Sequence, residues 1–329
     1  MEKSISIVIP TLNEESNIRR CLDSIFRQKF KGKLEVFLAD GGSTDLTVKI
    51  ARSYKVRILN NPLRNAESGK MIGLCASSSE YFMILDADMD LCGTDWFDKM
   101  LKPLLESPNV SGSFTKFVTK KGDSLLSRYI TIDPIQRDPL FRFLTSDPEQ
   151  VAESKRRGYW ICRYDFKKIV PAGFCLYRMK EIKQLKLDKR YKFMELDTLS
   201  LFLKAGKNLF AYVPSAGIHH PFLLDIKMLV KKRLRNLETQ FFNQPEQREF
   251  TWIDFNSKGD VLKIILWVLY ANSILLPLLL GLWRAIKFRN LIAVIEPVVV
   301  WITTNLIIVV FLRSKEGRKL LLRSLSNND

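Results

Sequence analysis

The stretch that most constrains this chain is YFMILDADMD, residues 81–90. Its first five residues are largely apolar and read as a buried strand. The strand ends in Asp86, Asp88 and Asp90, three carboxylates at alternating positions. Anions this close repel one another unless a cation or hydrogen-bond donors offset them. A hard divalent ion such as Mg2+ or Mn2+ takes oxygen ligands and often joins protein carboxylates to substrate phosphates. Taken alone, the spacing is equally that of a solvated loop after a core strand.

The surrounding sequence narrows the choice. Residues 4–9 (SISIVI), 34–38 and 56–59 read as strands. Between them the pattern predicts a helix from a cap at Ser16 or Asn13 to about residue 28, a second from a cap at Thr44 to about residue 54, and a third over 67–76. Residues 95–105 read as a further helix, and 112–119 and 209–213 as strands. Strands alternating with helices imply an α/β fold with a mainly parallel sheet and crossover helices. Ligands of such sheets sit outside the carboxyl ends of the strands. That places Pro10-Thr11, Asp40 and Asp86/Asp88 along one rim. GxGxxG and a Walker lysine loop are both absent, which excludes a dinucleotide enzyme and a P-loop NTPase.

The 329 residues carry a formal net charge of +17, which points to an anionic partner. No zinc-finger spacing, RNP-like motif or Gly/Arg repeat is present, so nucleic acid is not the expected partner. The positive charge is densest beside apolar segments near the C-terminus, which favours a membrane. The five cysteines (Cys21, Cys75, Cys92, Cys162 and Cys175) are widely spaced without C-x-x-C and read as free thiols in a reducing compartment. A strand begins directly after Lys3, so no signal peptide is expected.

Three segments in register, SISIVIPTLNEESNIRRCLDSI, VFLADGGSTDLTVKIA and YFMILDADMD, resemble the start of a family-two glycosyltransferase with the GT-A fold. The resemblance covers about residues 4–118 and continues more loosely to His220. It implies a UDP- or GDP-sugar donor, Mg2+ or Mn2+, and transfer with inversion. It sets Pro10, Thr11, Asn13 and Glu14 beside the nucleoside, with Glu14 near the ribose. Asp40-Gly41 would meet the base, and Asp86, Ala87 and Asp88 the metal and ribose–diphosphate. Lys70, in NAESGKMIG, sits where relatives often carry a basic residue and would face the diphosphate; a solvated helix lysine is the alternative. For Asn13 and Glu14 the alternative is helix capping, and for residues 40–43 a simple turn.

Gly173, in PAGF, matches the small-residue turn beside the donor sugar. Farther on, relatives often show Glu-Asp-x-Asp before a helix ending in Ala-Gly. Here the segment reads Glu195-Leu196-Asp197, a departure that leaves the catalytic base open between Asp197 and Glu195, with Asp197 set slightly ahead. The reaction needs one carboxylate to take the acceptor proton. His219 and His220 are the only histidines. The resemblance makes His220 a metal ligand with Asp86 and Asp88; turn structure is the alternative. The aromatic, arginine-rich stretch 125–168 is expected on the acceptor side or as a packing insert.

Residues 224–242 read as a basic amphipathic helix lying on a membrane surface. Residues 264–283 carry no charge until Arg284, and 291–312 are interrupted only by Glu296-Pro297. Each is long enough to cross a hydrocarbon core of about 30 Å. The expected organisation is a GT-A domain over 1–222 (4–118 donor half, 119–222 acceptor half) and an interfacial segment over 223–259. A transmembrane hairpin over 260–313 (helices 261–283 and 291–312) and a basic tail over 314–329 complete it. Flanking Lys258, Lys263, Arg313 and Lys315 place the catalytic domain and tail in the cytoplasm, with two passes. The connector's Arg284, Lys287 and Arg289 resist that placement unless they meet far-side lipid phosphates or the segments enter without crossing. The leading expectation is single-sugar transfer to a polyprenyl-phosphate or other lipid-linked acceptor. A catalytically inactive, nucleotide-sugar-binding membrane scaffold is the alternative.

Overall fold

A computed structural model describes residues 3–133, 135, 138–166, 175–185, 187, 193–221, 223, 225–237, 253–254, 256–315 and 317–319. In chain order the elements begin β1 (Ser4–Thr11), α1 (Ile18–Phe26), β2 (Lys33–Asp40), α2 (Thr47–Ala51), β3 (Arg57–Asn60), α3 (Ala66–Ala76), β4 (Tyr81–Ile84) and β5 (Asp90–Leu91). They continue with α4 (Trp96–Glu106), β6 (Gly112–Val118), α5 (Leu125–Ile130), α6 (Pro139–Leu144), β7 (Ala152–Arg156), β8 (Tyr159–Arg163), β9 (Leu176–Arg178), α7 (Met179–Gln184), α8 (Glu195–Lys204) and β10 (Leu209–His219). The last are α9 (Ile226–Asn236), α10 (Lys258–Asn272), α11 (Leu275–Lys287), a 3-10 turn (Leu291–Ile295) and α12 (Glu296–Arg313). The chain divides into two units, Met1–Lys120 with Ser146–His220, and Lys121–Thr145 with Pro221–Asp329.

The first unit is built on one sheet, ordered β3-β2-β1-β4-β9-β6-β10-β8-β7, with β5 beside β10. The quartet β3-β2-β1-β4 is parallel, as is β6-β10. The sheet as a whole is mixed, which corrects the expectation of a mainly parallel one. The short strand β9 wedges antiparallel between β4 and β6, and the β7-β8 hairpin closes the edge antiparallel to β10. Because β9 reverses direction twice over, β6 and β10 still point the same way as β1, β2 and β4. All their carboxyl ends therefore share one edge.

Alternate residues explain how the sheet is covered. Ile5, Ile7 and Ile9 of β1 join Val36, Leu38 and Met83 in one core with Cys21, Leu22 and Ile25 of α1 and Trp96, Met100 and Leu104 of α4. On the opposite face α3 lies close enough that a Cβ on Gly73 would come within 2.2 Å of Val8 Cγ1. Two caps differ from expectation. The N-cap of α1 is Asn17, while Asn13 adopts φ 56° and its Oδ1 accepts from Thr44 N–H at 2.9 Å. Helix α2 begins only at Thr47, whose N–H donates to Asp45 Oδ1 at 2.9 Å, so Thr44 belongs to the loop that Asn13 holds.

At the amino end of the sheet, Glu35 accepts hydroxyl hydrogen bonds from Ser6 (2.8 Å), Ser78 (3.0 Å) and Ser79 (2.9 Å). Burial works against the carboxylate, yet these donors outweigh it and pull its pKa down to about 2. A depressed carboxylate stabilises the fold above its unfolded pKa of about 4.3 and loses that contribution as pH falls toward 2. Glu35→Ala should therefore cost on the order of 1–2 kcal/mol at pH 7, after discounting for partial exposure, and the deficit should shrink below about pH 4. Thermal unfolding at pH 7 and pH 3.5 measures it; a pH-independent deficit contradicts the argument.

In the second unit, α9 is capped by Asp225, whose Oδ1 accepts from Met228 N–H at 2.8 Å. It is the basic amphipathic helix expected over 224–242; residues 224 and 238–242 lie outside the described residues. The charge-free segment expected to be one helix is two, α10 and α11, meeting at 83°. Pro277 accounts for the break. Its ring would clash with the carbonyl of residue 273 in a continuous helix, and α10 ends at Asn272. Only Leu291–Arg313 is a single stretch long and apolar enough to cross a membrane among the described residues.

A buried ionic cluster ties this unit together. Arg284 Nη2 lies 2.7 Å from Asp133 and its Nη1 2.5 Å from Glu296. Arg142 pairs with Glu296 and reaches Asp133 at 3.4 Å, and Tyr129 donates its hydroxyl to Glu296 at 2.7 Å. Two guanidinium groups thus face two carboxylates, so the burial cost of each charge is offset by its partners.

Candidate active site

The carboxyl edge of the first unit gathers most of the residues singled out in the sequence. Register pairs Thr11 with Asp40 and Val8 with Ile84, so Asp86 emerges level with the end of β1. The turn after β4 is pinned by its backbone: Met89 N–H donates to Asp86 O (3.0 Å), and Arg20 Nη2 to Asp88 O (2.6 Å). The buried Ala87 sits between the two acids. The side chains of Asp86 and Asp88 are thereby left facing the edge rather than folded into the turn.

Asp88 Oδ2 lies 3.2 Å from Nε2 of the buried His220, which follows β10 and packs near Phe117. Asp86 is the centre of a wider field. Desolvation raises its pKa, Lys70 opposes that, and Asp88 and Glu195 add to it. Lys70, only 7% exposed, reaches across from α3. Its Nζ is 2.6 Å from Glu195 Oε1 and 4.0 Å from Asp86 Oδ1. Burial works against the ammonium, but Glu195 and Asp86 more than compensate and hold it protonated.

Glu195 and Asp197 both lie in the first turn of α8. Residues two apart on a helix point about 200° away from each other, so they cannot both face Lys70. It is Glu195 that does. Glu14, on the loop after β1, has its pKa raised by burial, with Asp88 and Asp86 contributing; its Oε2 accepts from Asn17 Nδ2 at 2.8 Å. Glu14 therefore senses the acid pair across the edge.

Asp40 is engaged by its own loop. Its Oδ2 accepts from Gly42 N–H (2.9 Å) and Ser43 N–H (3.0 Å), and its Oδ1 from Ser43 Oγ (2.5 Å) and Thr11 Oγ1 (3.4 Å). Gly41 N–H donates to Thr11 O at 2.8 Å, and a Cβ there would approach Arg64 Cα to 3.3 Å. Pro10 is the next-to-last residue of β1, in register with Ala39 beside Asp40. Gly173 lies outside the described residues.

Asp90 has a different environment from the other two acids. It is buried and held by two cations and an imidazole: Arg20 Nε at 3.0 Å, Lys120, and His219 Nδ1 at 2.9 Å. Burial would raise its pKa, but hydrogen bonds from His219 and Lys120 outweigh it and lower it. This clamp was not visible in the sequence, because it depends on β5 pairing with the last residues of β10.

Among the described residues, no group of three or more His, Cys, Asp and Glu side chains closes around one point. The Asp88–His220 contact, with Asp86 beside it in the same field, is an open donor set instead. Oxygen and imidazole donors of this kind suit Mg2+ or Mn2+, which commonly complete their coordination with phosphate and water. The residues present therefore fit such an ion in an open site.

The family model described as Glycosyl transferase family 2 matches residues 6–182, more than half of the chain. The chain belongs to glycosyltransferase family 2. Its first unit is the α/β, GT-A-like part of that family, a mixed sheet flanked by helices. Among curated members, it is 30% identical over 111 residues to glycosyltransferase GlyA of Streptococcus pneumoniae, covering 32% of this chain and 16% of GlyA. It is 25% identical over 142 residues to glycosyltransferase AglE of Haloferax volcanii, covering 40% and 46%.

A Methanococcus voltae enzyme named as a dolichyl N-acetyl-glucosaminyl phosphate diacetamido-dideoxyglucuronosyltransferase shares 32% identity over 91 residues, covering 25% of this chain and 28% of that one. The matched region spans less than half the length of each of these relatives. In fold, the chain is similar to the mannosyltransferase PcManGT of Pyrobaculum calidifontis, solved with GDP-Man and Mn2+. The TM-score is 0.50 at 13% identity, with 99% of this chain and 80% of that chain covered.

Proposed function

We propose that this family-two glycosyltransferase moves one sugar from a UDP- or GDP-sugar to a lipid-linked acceptor at a membrane, with inversion at the anomeric carbon. The observation that carries the proposal is the edge on which Asp86, Asp88 and His220 face Lys70 and Glu195. Relatives point the same way: one is named for a dolichyl-linked acceptor and another was solved with GDP-Man and Mn2+.

Asp86, Asp88 and His220 would hold Mg2+ or Mn2+, which when bound supplies positive charge against the donor's diphosphate. Lys70 is placed to add a second cation on the same side. Asp40, held by four donors, shapes the loop that with Pro10, Thr11, Asn13, Glu14 and Gly41 would receive the nucleoside. Of the two acids left open by the sequence, Glu195 is supported as the proton acceptor for the incoming hydroxyl, because its contact with Lys70 holds its side chain on the same side as Asp86.

The lipid side of the proposal rests on the second unit. A groove of about 500 Å³, with largely apolar walls, runs between α5, α9 and α12, where Leu126, Leu229, Val298 and Val299 line it together with the charged pair Asp225 and Lys227. Such walls suit an isoprenoid or acyl chain, and the lysine a phosphate.

The test is a donor screen with purified protein, Mn2+ and a polyprenyl-phosphate or lipid extract, read by release of nucleoside diphosphate. One donor should give product at least about tenfold above the others. Binding by calorimetry with no product from any extract would instead favour the inactive scaffold, the reading that the Glu195-Leu196-Asp197 departure keeps open.

A further inference from the structure

The second unit carries an apolar surface that the chemistry above does not use. On α10, α11 and the 3-10 turn after them the large side chains Leu269 (64% exposed), Leu275 (61%), Trp283 (53%), Ile286 (79%) and Leu291 (82%) lie open, as does Trp301 (50%) of α12. A patch of this extent marks a membrane or a partner protein. Basic residues bound the stretch on one side of the bend: Lys258 and Lys263 in the first two turns of α10, Lys287 and Arg289 at the end of α11, and Arg313, Lys315 and Arg318 at the end of α12 and just beyond it, while residues 272–275 at the α10–α11 bend carry none. Apolar faces bounded by cations complement lipid tails bounded by anionic headgroups, which selects a bilayer as the occupant.

Chain connectivity and the ionic cluster then fix how deep these helices go. Residues 121–145 leave the sugar-nucleotide unit and return to it. Their helices, α5 and α6, have six residues each, about 9 Å, and cannot cross a core of about 30 Å. An irregular polar segment cannot cross either, because its backbone would be unsatisfied in lipid. Asp133 and Arg142, on this excursion, therefore stay on the side of the catalytic unit. They are paired with Arg284 and Glu296, which bracket the connector between α11 and α12. The connector is consequently on that side as well.

The same reasoning limits α12. The ring of Phe143 of α6 packs at a tilt against Trp267, centroids 5.1 Å apart, and Trp267 Nε1 donates to Thr304 Oγ1 at 2.9 Å. Val299 packs with Leu229 of the basic helix α9. The half of α12 up to Thr304 is thus clad by elements that do not cross. The nine residues from Asn305 to Arg313 extend about 13 Å farther, less than half the core, and end in cations that are costly at mid-bilayer. The bend between α10 and α11 reaches no deeper than the start of that stretch, since Asn305 Nδ2 donates to Asn272 Oδ1 at 3.0 Å.

We infer that the chain enters one leaflet and never crosses, with the connector and the end of α12 on the catalytic side. This replaces the two-pass hairpin expected from hydropathy and resolves the basic connector that opposed it. The inference rests on the membrane attachment proposed above, not on the transfer chemistry.

The test is cysteine labelling of the full chain in sealed right-side-out and inside-out vesicles with a membrane-impermeant maleimide. Exposed Cys75 reports the catalytic side in a Cys92→Ser background, the other cysteines being buried. Lys287→Cys and Arg289→Cys (two independent connector sites) and Lys319→Cys should label from the same side as Cys75, with at least tenfold preference. Leu275→Cys at the bend should label from neither side until detergent is added. Connector labelling from the opposite side restores two passes, and opposite labelling of Lys319→Cys alone restores one; either overturns the inference. Recovery of the chain in the soluble fraction without detergent overturns it together with membrane attachment, and leaves the donor screen to judge the chemistry separately.

Discussion

Asp88→Ala should lower sugar transfer by roughly a thousandfold, about 4 kcal/mol of barrier, while leaving the fold intact. The size follows from what Asp88 touches. Its carboxylate is partly exposed, lies 3.2 Å from His220, and adds to the field that raises Asp86 and Glu14. Removing it takes away one of the few oxygen donors for a divalent ion and the carboxylate that lies against the His220 imidazole. Mn2+-dependent release of nucleoside diphosphate measures the loss, and circular dichroism checks the fold. Turnover within tenfold of the parent chain would remove the Asp86/Asp88 edge from the reaction. Asp90 serves as the contrast: Arg20, Lys120 and His219 bind it into the structure, so Asp90→Asn should act through stability instead.

Why the edge was legible while its closure was not comes down to the range of each interaction. The parallel strands β1, β2 and β4 announce themselves by apolar runs that end in turn residues, and three of them suffice to align Thr11, Asp40 and Asp86. What the sequence could not show were the antiparallel pairings made by distant segments. The wedge of β9 turned a mainly parallel sheet into a mixed one, and the β5-β10 pairing drew Asp90 away from Asp86 and Asp88. The Lys70–Glu195 contact joins residues 125 apart in the chain, and no local pattern encodes it. In the second unit the information was present but was read by composition alone. Pro277 marks the break in the apolar segment through its missing N–H and its ring, whereas hydropathy averages across it. Asp133, which pairs with Arg284, and Arg142, which pairs with Glu296, lie 151 and 154 residues from those partners, beyond any periodicity argument.

Glu195→Gln is expected to have the second large effect, and its size depends on the acceptor. If the acceptor presents a hydroxyl, losing the carboxylate should slow transfer by about 10²–10⁴-fold, the usual contribution of a general base. If the acceptor is a lipid phosphate, already ionised, the loss should stay within about tenfold, because no proton has to leave. Asp197→Asn should be mild in both cases, since helix geometry turns Asp197 away from the Lys70 contact that Glu195 makes. Lys70→Met separates positioning from proton transfer: it should weaken donor binding by tenfold or more, whereas Glu195→Gln should change it by less than threefold. The paired readouts are donor affinity by calorimetry and single-turnover transfer to each acceptor type. A result in which Asp197→Asn abolishes transfer and Glu195→Gln does not would move the base two residues along α8, and would leave Glu195 as the residue that positions Lys70 against Asp86.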